Sequence, residues 1–469
     1  MNSTRRGYGR GRDDNDLVNG EVEETDVVVI GAGVSGLVTA VRLREAGQRV
    51  VVLEARDRVG GRLLTETVGG VRLEIGGQWV SPDQTAVLAL IDELGLPTFA
   101  RYRAGESVYI GRDGVRRTFA GEAFPVPATT AAEVDRLTAE LDALAAAMDP
   151  LAPWDHPDAD ALDRISFAAW LEARTDDLEA RDNVGLYIGP AMLTKPAHAF
   201  SALTAVLMAA SAGAFSHLVD ADFILDRRVV GGLQKVPLRL ADRLPGAIRL
   251  NSPVTEVAWD EDGATTKADK VYKSRQVVVA VPPTLVDRIR FAPALPPVHR
   301  QMRQHQSFGM VIKLHVTYDR PFWREQGLSG TAFSPYRVVH EAYDNCNEDD
   351  PRGILVGFVS DTRADRLLTL TPEARQAEVL DALAGYYGAE AQHPIAYYES
   401  PWAADEWTGG AFGTSFDIGG LTRYNSLLRE DVGPLAFISS DIAGLGFLHV
   451  DGAVRMGEST AARLLGRAR

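Results

Sequence analysis

The chain has almost no cysteine: Cys346 stands alone among 469 residues. One thiol closes no intrachain disulfide and builds no cysteine-rich metal site, which excludes a disulfide-stapled secreted scaffold. No resident metal is expected. Long apolar runs are missing too. The longest, Ala202–Phe215, is too short and too interrupted to span a bilayer. Met1–Gly20 carries arginine, aspartate and glycine where a signal peptide needs an apolar core. The chain ends at Arg469 after a helical pattern, with no hydrophobic tail. Nor is there an excess of positive charge: 49 basic against 64 acidic residues give −15. That balance speaks against a general nucleic-acid or anionic-membrane surface and suits cationic ligands. The expectation is a cytoplasmic protein with no nucleic-acid or membrane partner. No repeat or low-complexity tract stands out.

What is present is an ordinary globular composition, 45% hydrophobic and 24% charged, over a length that suits two domains. Residues 1–22 read as a disordered leader, RRGYGRGR followed by an acidic run; an arginine arm touching a polyanion is the other reading.

The most informative stretch is Thr25–Arg62. Val27–Ile30 is β-branched, as a buried parallel strand should be. Gly31-Ala32-Gly33 and Ser35-Gly36 then follow at GxGxxG spacing, and Leu37–Ala46 reads as an amphipathic helix. A second apolar run, Val50–Leu53, ends on Glu54 and Ala55. Gly31 permits the tight turn, Gly33 lets the backbone approach a pyrophosphate, and Gly36 lets helix and strand pack closely. The helix N-terminus offers N–H groups to phosphate, and Glu54 is placed for ribose hydroxyls. A glycine-rich turn without a ligand leaves that acid unexplained. Directly after it, Arg56, Gly60, Gly61 and Arg62 suit a second approach to the pyrophosphate, since arginine forks onto phosphate oxygens.

Further on, Val68–Trp79 reads as a hairpin strand leading into Gly76-Gly77. Alanine-rich helices punctuated by Pro150, Pro153 and Pro157 dominate 101–226; Tyr187, Met192, Leu203, Phe215 and Phe223 either line a cavity or pack a core. In 308–318, Lys313, His315 and Thr317 alternate with Leu314, Val316 and Tyr318. A lysine inside an apolar strand is costly unless paired or functional; the other reading is a lysine snorkelling from a sheet edge.

The blocks 25–62, 68–79, 308–318, 400–416 and 433–465 together resemble the flavoprotein amine oxidases, the family of monoamine and polyamine oxidases. The resemblance implies FAD and an α/β fold: a discontinuous Rossmann-like FAD-binding domain (23–100, 228–302 and 400–469) with a mixed α+β substrate-binding domain (101–227 and 303–399). It places Gly77, Gln78 and Trp79 near the flavin ring and the Val254 backbone at the adenine. It gives Lys313 a water at flavin N5, and puts Trp402 beside the ring. Ala411 stands where mitochondrial members have the cysteine bonded to flavin, so the FAD is expected to be non-covalent. Phe412 and His449 take the two walls of an aromatic cage; His449 is either a proton acceptor or a structural imidazole. Asp441 replaces the usual glutamate and is expected on the ribityl or phosphate part. Val450 and Ala453 lie where the closing helix, opening at Gly452-Ala453-Val454, faces flavin O2. Glu66 is either a pocket carboxylate or a solvated strand residue.

The function implied is oxidation of a small-molecule amine or amide at its C–N bond, with hydride transfer to flavin N5 and reduction of O₂ to H₂O₂. Other readings are a biosynthetic amine or amide oxidase acting on a larger metabolite, with or without cyclisation; a carbon–carbon desaturase or isomerase; or a non-catalytic flavin protein. The family's habit points to a homodimer.

Overall fold

The structure, a computed structural model, describes residues 22–121 and 123–467; apart from Val22, the leader expected over 1–22 lies outside them. Val27–Ile30 pairs in parallel with Val50–Leu53 on one side and Gln276–Val279 on the other. Ile248–Arg249 and Leu435–Phe437 add the outer strands of this five-stranded parallel sheet. Every residue of Val27–Ile30 and Val50–Leu53 is buried, which is why those runs are continuously apolar rather than alternating.

The opening helix, Val34–Glu45, begins three residues before the expected Leu37, because the turn is confined to Gly31–Gly33. It packs on the closing helix, Val450–Arg467, where Thr39 Oγ1 donates to Gly457 O at 3.2 Å. That helix starts at Val450, two residues before the expected Gly452. A Cβ on Gly36 would sit 2.1 Å from Gly31 O and 3.1 Å from Ala280 Cβ. Gly36→Ala is therefore expected to destabilise the protein by about 1–3 kcal/mol, as overpacking does, and to lower its flavin content. A thermal melt paired with an absorbance spectrum checks this; an unchanged melt would refute it.

A second, seven-stranded sheet runs in the order Ala396–Glu399, Val311–Tyr318, Gly353–Ser360, Glu341–Asp344, Leu328–Phe333, Glu106–Ile110, Arg116–Phe119. All eight residues of Val311–Tyr318 are buried, and the strand has a neighbour on each side, so Lys313 is not an edge lysine. Ile312, Leu314, Val316 and Tyr318 enter one core with helix Pro372–Tyr387. Lys313, Phe358 and Glu341 stand in one row on the opposite face, directly paired across the sheet. The strand expected over 68–79 is a hairpin, Thr65–Val68 with Val71–Glu74, turning at Gly69-Gly70; residues 75–78 leave it without regular structure.

The helical segment contributes Ala128–Ala146, Leu178–Ile188, a π-turn at Gly189–Leu193, and Ala202–Ser211. Leu203 and Phe215 are fully buried in its core and are not in the wall of the cavity described below. Among the described residues, no helix is long and apolar enough to cross a membrane.

Candidate active site

One cavity lies between the parallel sheet and the seven-stranded sheet, with Gly31, Glu54 and Val254 in its wall at one end and Lys313, Phe412 and Tyr343 at the other. Of the residues expected at the site, all but five line it. The exceptions are Ala32, Gly36, Glu66, Phe223 and Asp441.

Each exception has a physical cause. Ala32 N–H is taken by Glu54 Oε2 at 2.7 Å. Gly36 serves packing, as its missing Cβ shows. Glu66 is exposed on the hairpin, and Phe223 stacks on His217 with ring centroids 4.3 Å apart. Asp441 was expected on the cofactor, yet its fully buried carboxylate is taken by Arg62, the Ser439 hydroxyl and Thr414 N–H. Burial opposes its charge, but the Arg62 guanidinium and these donors hold it below the usual carboxylate range.

The same contacts revise the roles of both arginines. Arg62 donates to Phe412 O at 2.9 Å and to Ser440 Oγ at 3.1 Å as well as to Asp441, so its fork closes on protein rather than phosphate. Arg56 is held by Asp405 and by Thr408 Oγ1 at 2.6 Å, but its Nε is buried with no partner. A buried orphan donor in a cavity wall calls for an acceptor. Beside it, Gly33 faces open space. A Cβ on Gly61 would come within 3.3 Å of Gly33 Cα, so the two glycine turns meet at this end. The opening helix starts there with no side-chain cap and no acid in its first turn, which leaves its N-terminus free to meet an anion. Glu54 Oε1 accepts Arg56 N–H at 2.9 Å, which fixes the carboxylate in the wall.

At the other end, Lys313 Nζ meets Glu74 O and Gly76 O at 2.7 Å and Gln78 Oε1 at 2.6 Å. Trp402 N–H donates to Ile75 O at 2.9 Å, so residues 74–78 are clamped from two sides. Burial lowers the lysine to about 7. Three acceptors use all three ammonium N–H groups; a water on Lys313 would have to displace one of them. His449 Nδ1 lies 2.9 Å from Phe447 O. A carbonyl only accepts, so Nδ1 carries a hydrogen, and Nε2 is the ring nitrogen left to act on a ligand.

A chain of rings forms the far wall: Phe412 to Phe358 at 5.8 Å, Phe358 to Trp79 at 6.1 Å, Trp79 to Tyr343 at 5.5 Å, and Tyr343 to Phe333 at 5.7 Å. Tyr187 continues it, 5.9 Å from Phe333. Into this apolar wall the sheet inserts one acid, Glu341, which sequence reasoning missed. Only 6% exposed, it accepts the Tyr343 hydroxyl at 2.8 Å, and among the described residues no basic side chain pairs with it. Burial lifts it to about 7 despite that hydrogen bond. The reasoning that singled out Lys313 does not reach Glu341, because its strand, Glu341–Asp344, is four residues long, starts on the acid and ends on another.

These features fit FAD. The glycine turns, the free helix N-terminus and the Arg56 Nε suit a pyrophosphate, Glu54 a ribose, and the main chain at Gly76-Gly77 with Trp402 a flat ring. Ala411 in the cavity wall has no thiol and Cys346 lies outside the wall, so no cysteinyl bond to the cofactor can form. Among the described residues no group of His, Cys, Asp and Glu is arranged to hold a metal.

The comparisons with known proteins agree. The family described as flavin containing amine oxidoreductase matches residues 34–465. Putrescine oxidase of Kocuria rosea is 52% identical over 456 residues, covering 94% of this chain and 95% of that protein. A solved structure of putrescine oxidase bound to putrescine is 56% identical, with a TM-score of 0.94 over 95% of this chain and all of the other. Cyclohexylamine oxidase of Brevibacterium oxydans is 28% identical, with a TM-score of 0.90 over 95% of this chain and 99% of its own. These relatives favour amine oxidation over a desaturase, an isomerase or a flavin carrier. The chain thus belongs to the flavin-containing amine oxidoreductases, FAD-dependent enzymes that oxidise CH–NH₂ groups with oxygen as acceptor.

Proposed function

We propose that this enzyme oxidises short α,ω-diamines of the putrescine kind, and that Glu341 receives the ammonium that is not oxidised. The observation that carries this reading is the lone buried acid in an aromatic wall. A carboxylate with no cation of its own, in a cavity open to ligand, favours a substrate that brings one. The relatives named for putrescine support it.

Bound FAD supplies the two-electron acceptor for the C–N oxidation and passes the electrons to O₂. The chain does the rest. Glu341 and the Tyr343 hydroxyl hold the distal ammonium, and the ring wall from Phe412 to Phe333 excludes water from the methylene chain between. Phe412 and His449 flank the reacting nitrogen, which must be neutral to lose hydride from its carbon. The His449 Nε2 lone pair is available to take a proton from the arriving ammonium. Tyr187 and Met192 close the far end. Lys313 with Trp402 fixes the peptide at 74–78, and the N-terminus of the closing helix, with Val450 and Ala453, brings a positive dipole end to the site.

The same reading assigns 23–100, 228–302 and 400–469 to cofactor binding and 101–227 with 303–399 to substrate. It also has the enzyme act in the cytoplasm, as a homodimer. An oxidase acting on a larger metabolite is not favoured, since the relatives are named for simple amines.

A peroxide-coupled screen over diamines, monoamines, amino acids and lactams tests the substrate: short diamines should be fastest. Equal rates with monoamines of the same length would sink the role of Glu341. Acid denaturation should release unmodified FAD into the supernatant; flavin retained on the pellet would contradict a non-covalent cofactor.

A further inference from the structure

Lys313 is one of only six lysines in the chain, and three oxygens surround its Nζ. Two are main-chain carbonyls, which can only accept. The third belongs to the Gln78 amide, whose oxygen and nitrogen could exchange places by a simple flip. Gln78 is prevented from flipping. Its Nε2 donates to Asn345 Oδ1 at 2.7 Å. Asn345 is fixed in turn by its backbone: its N–H bonds Ile354 O at 2.8 Å, and its carbonyl accepts Arg228 Nη1 at 3.0 Å. Asn345 Nδ2 is left buried with no partner. Turning that amide would set two NH₂ groups against each other, so the orphan is the consequence of a chain of orientations that starts at the lysine.

We infer that Gln78, clamped by Asn345, is a positioning residue that completes a three-oxygen cradle and keeps Lys313 in its ammonium form beside the cofactor site. An ammonium has three N–H donors and no acceptor, whereas a neutral amine has two donors and a lone pair that would face an oxygen. Burial works against the charge and brings the lysine to about 7, where one hydrogen bond decides its state. The ionisable groups facing it are few. Glu74 favours the charge but is paired with Arg228, which opposes it. His315, two residues along the same face, has neither ring nitrogen partnered and is held neutral by burial. Glu341 stands two strands away in the same row. Gln78 carries no charge, so replacing it with an apolar residue alters the cradle and leaves this charge set intact. The inference does not depend on which amine is oxidised.

The test is ¹³C NMR of the lysine Cε, which follows protonation directly in the holoenzyme. The wild-type Lys313 signal should titrate near 7. Gln78→Leu should lower that midpoint by about one pH unit or more, since a hydrogen bond to a charged group is worth roughly that much. Gln78→Glu should raise it by about as much, and Asn345→Leu should lower it by less than Gln78→Leu does. Lys195, buried against Ser415 and titrating near 8, serves as an internal control for an intact fold and should not move. If Gln78→Leu fails to fold, the other two variants decide. Lys313 midpoints unchanged in the folded variants would overturn the assignment, as would a fall with Gln78→Glu.

Discussion

Glu341→Gln is expected to cut kcat/KM for a short diamine by roughly 150-fold while leaving a monoamine of equal length nearly unaffected. Removing one partner of a buried, hydrogen-bonded charge pair costs about 2–5 kcal/mol, and about 3 corresponds to that factor. Steady-state kinetics on the paired substrates measure it. A loss that is equal for both would mean that Glu341 shapes the cavity rather than reads a second ammonium. The pH dependence has a definite sign. Burial lifts Glu341 from 4.5 to about 7, so in the free enzyme the carboxyl is neutral at pH 5 and ionised at pH 8. Diamine kcat/KM should therefore climb through pH 7 and lose that step in the variant. Binding near pH 7 should release a proton, seen as a buffer-dependent enthalpy in calorimetry.

Stability carries the opposite mark. A carboxyl whose folded value lies above its unfolded one destabilises the fold as pH rises from 4.5 through about 7. At about 1.4 kcal/mol per pH unit, the penalty reaches about 3 kcal/mol above pH 7 in the free enzyme. Glu341→Gln should then melt higher than wild type at pH 8 and no higher at pH 4.5. A wild type unaffected by this change of pH would contradict the burial argument.

Arg62→Leu should be the most disruptive change away from substrate. It strips the Asp441 carboxylate of the cation it is paired with, and breaking a buried pair costs about 3–5 kcal/mol. It also frees the Phe412 carbonyl, so flavin content should fall together with the denaturant midpoint. Because Asp441 sits below its ordinary 3.8, the pair's contribution is present above that pH and is lost as pH falls through the depressed value. Wild type and variant should thus converge in acid. The double variant with Asp441→Leu should recover part of the loss, since it no longer buries a lone charge. A single-variant loss under about 1 kcal/mol would show that Asp441 is satisfied without Arg62.

What could be read from the chain follows the distance over which each interaction acts. Val27–Glu54 was legible because strand, turn, helix and strand are successive and their chemistry is local: β-branched runs, glycines with no room for a Cβ, an acid at a strand end. Lys313 was legible because an ammonium in an apolar strand demands a reason wherever it folds. Glu341 fails that test: Glu341 and Asp344 crowd a four-residue strand that follows His340, and only the sheet's placement of that strand against the ring wall buries the acid. Asp441 was misassigned since its partner Arg62 lies 379 positions away, and a carboxylate near a ligand looks the same on paper as one turned aside. Helix and strand ends moved by a few residues because caps and neighbours, not pattern, set them.

The residues by themselves determined a dinucleotide turn with its two flanking strands and the strand that carries Lys313, because each depends on contacts within a few dozen positions; the choice of FAD and the meaning of alanine at 411 came from the family resemblance. Only the tertiary structure decided which charges meet each other and which are left for a ligand. Arg62 closes on Asp441, Lys313 on three oxygens and Arg56 on Asp405, while Glu341 in the ring wall has no cation among the described residues. Long-range pairing is settled by which groups share a buried volume, and in that low dielectric an unmatched charge is the costliest feature a fold can keep and the strongest claim it can make on a substrate.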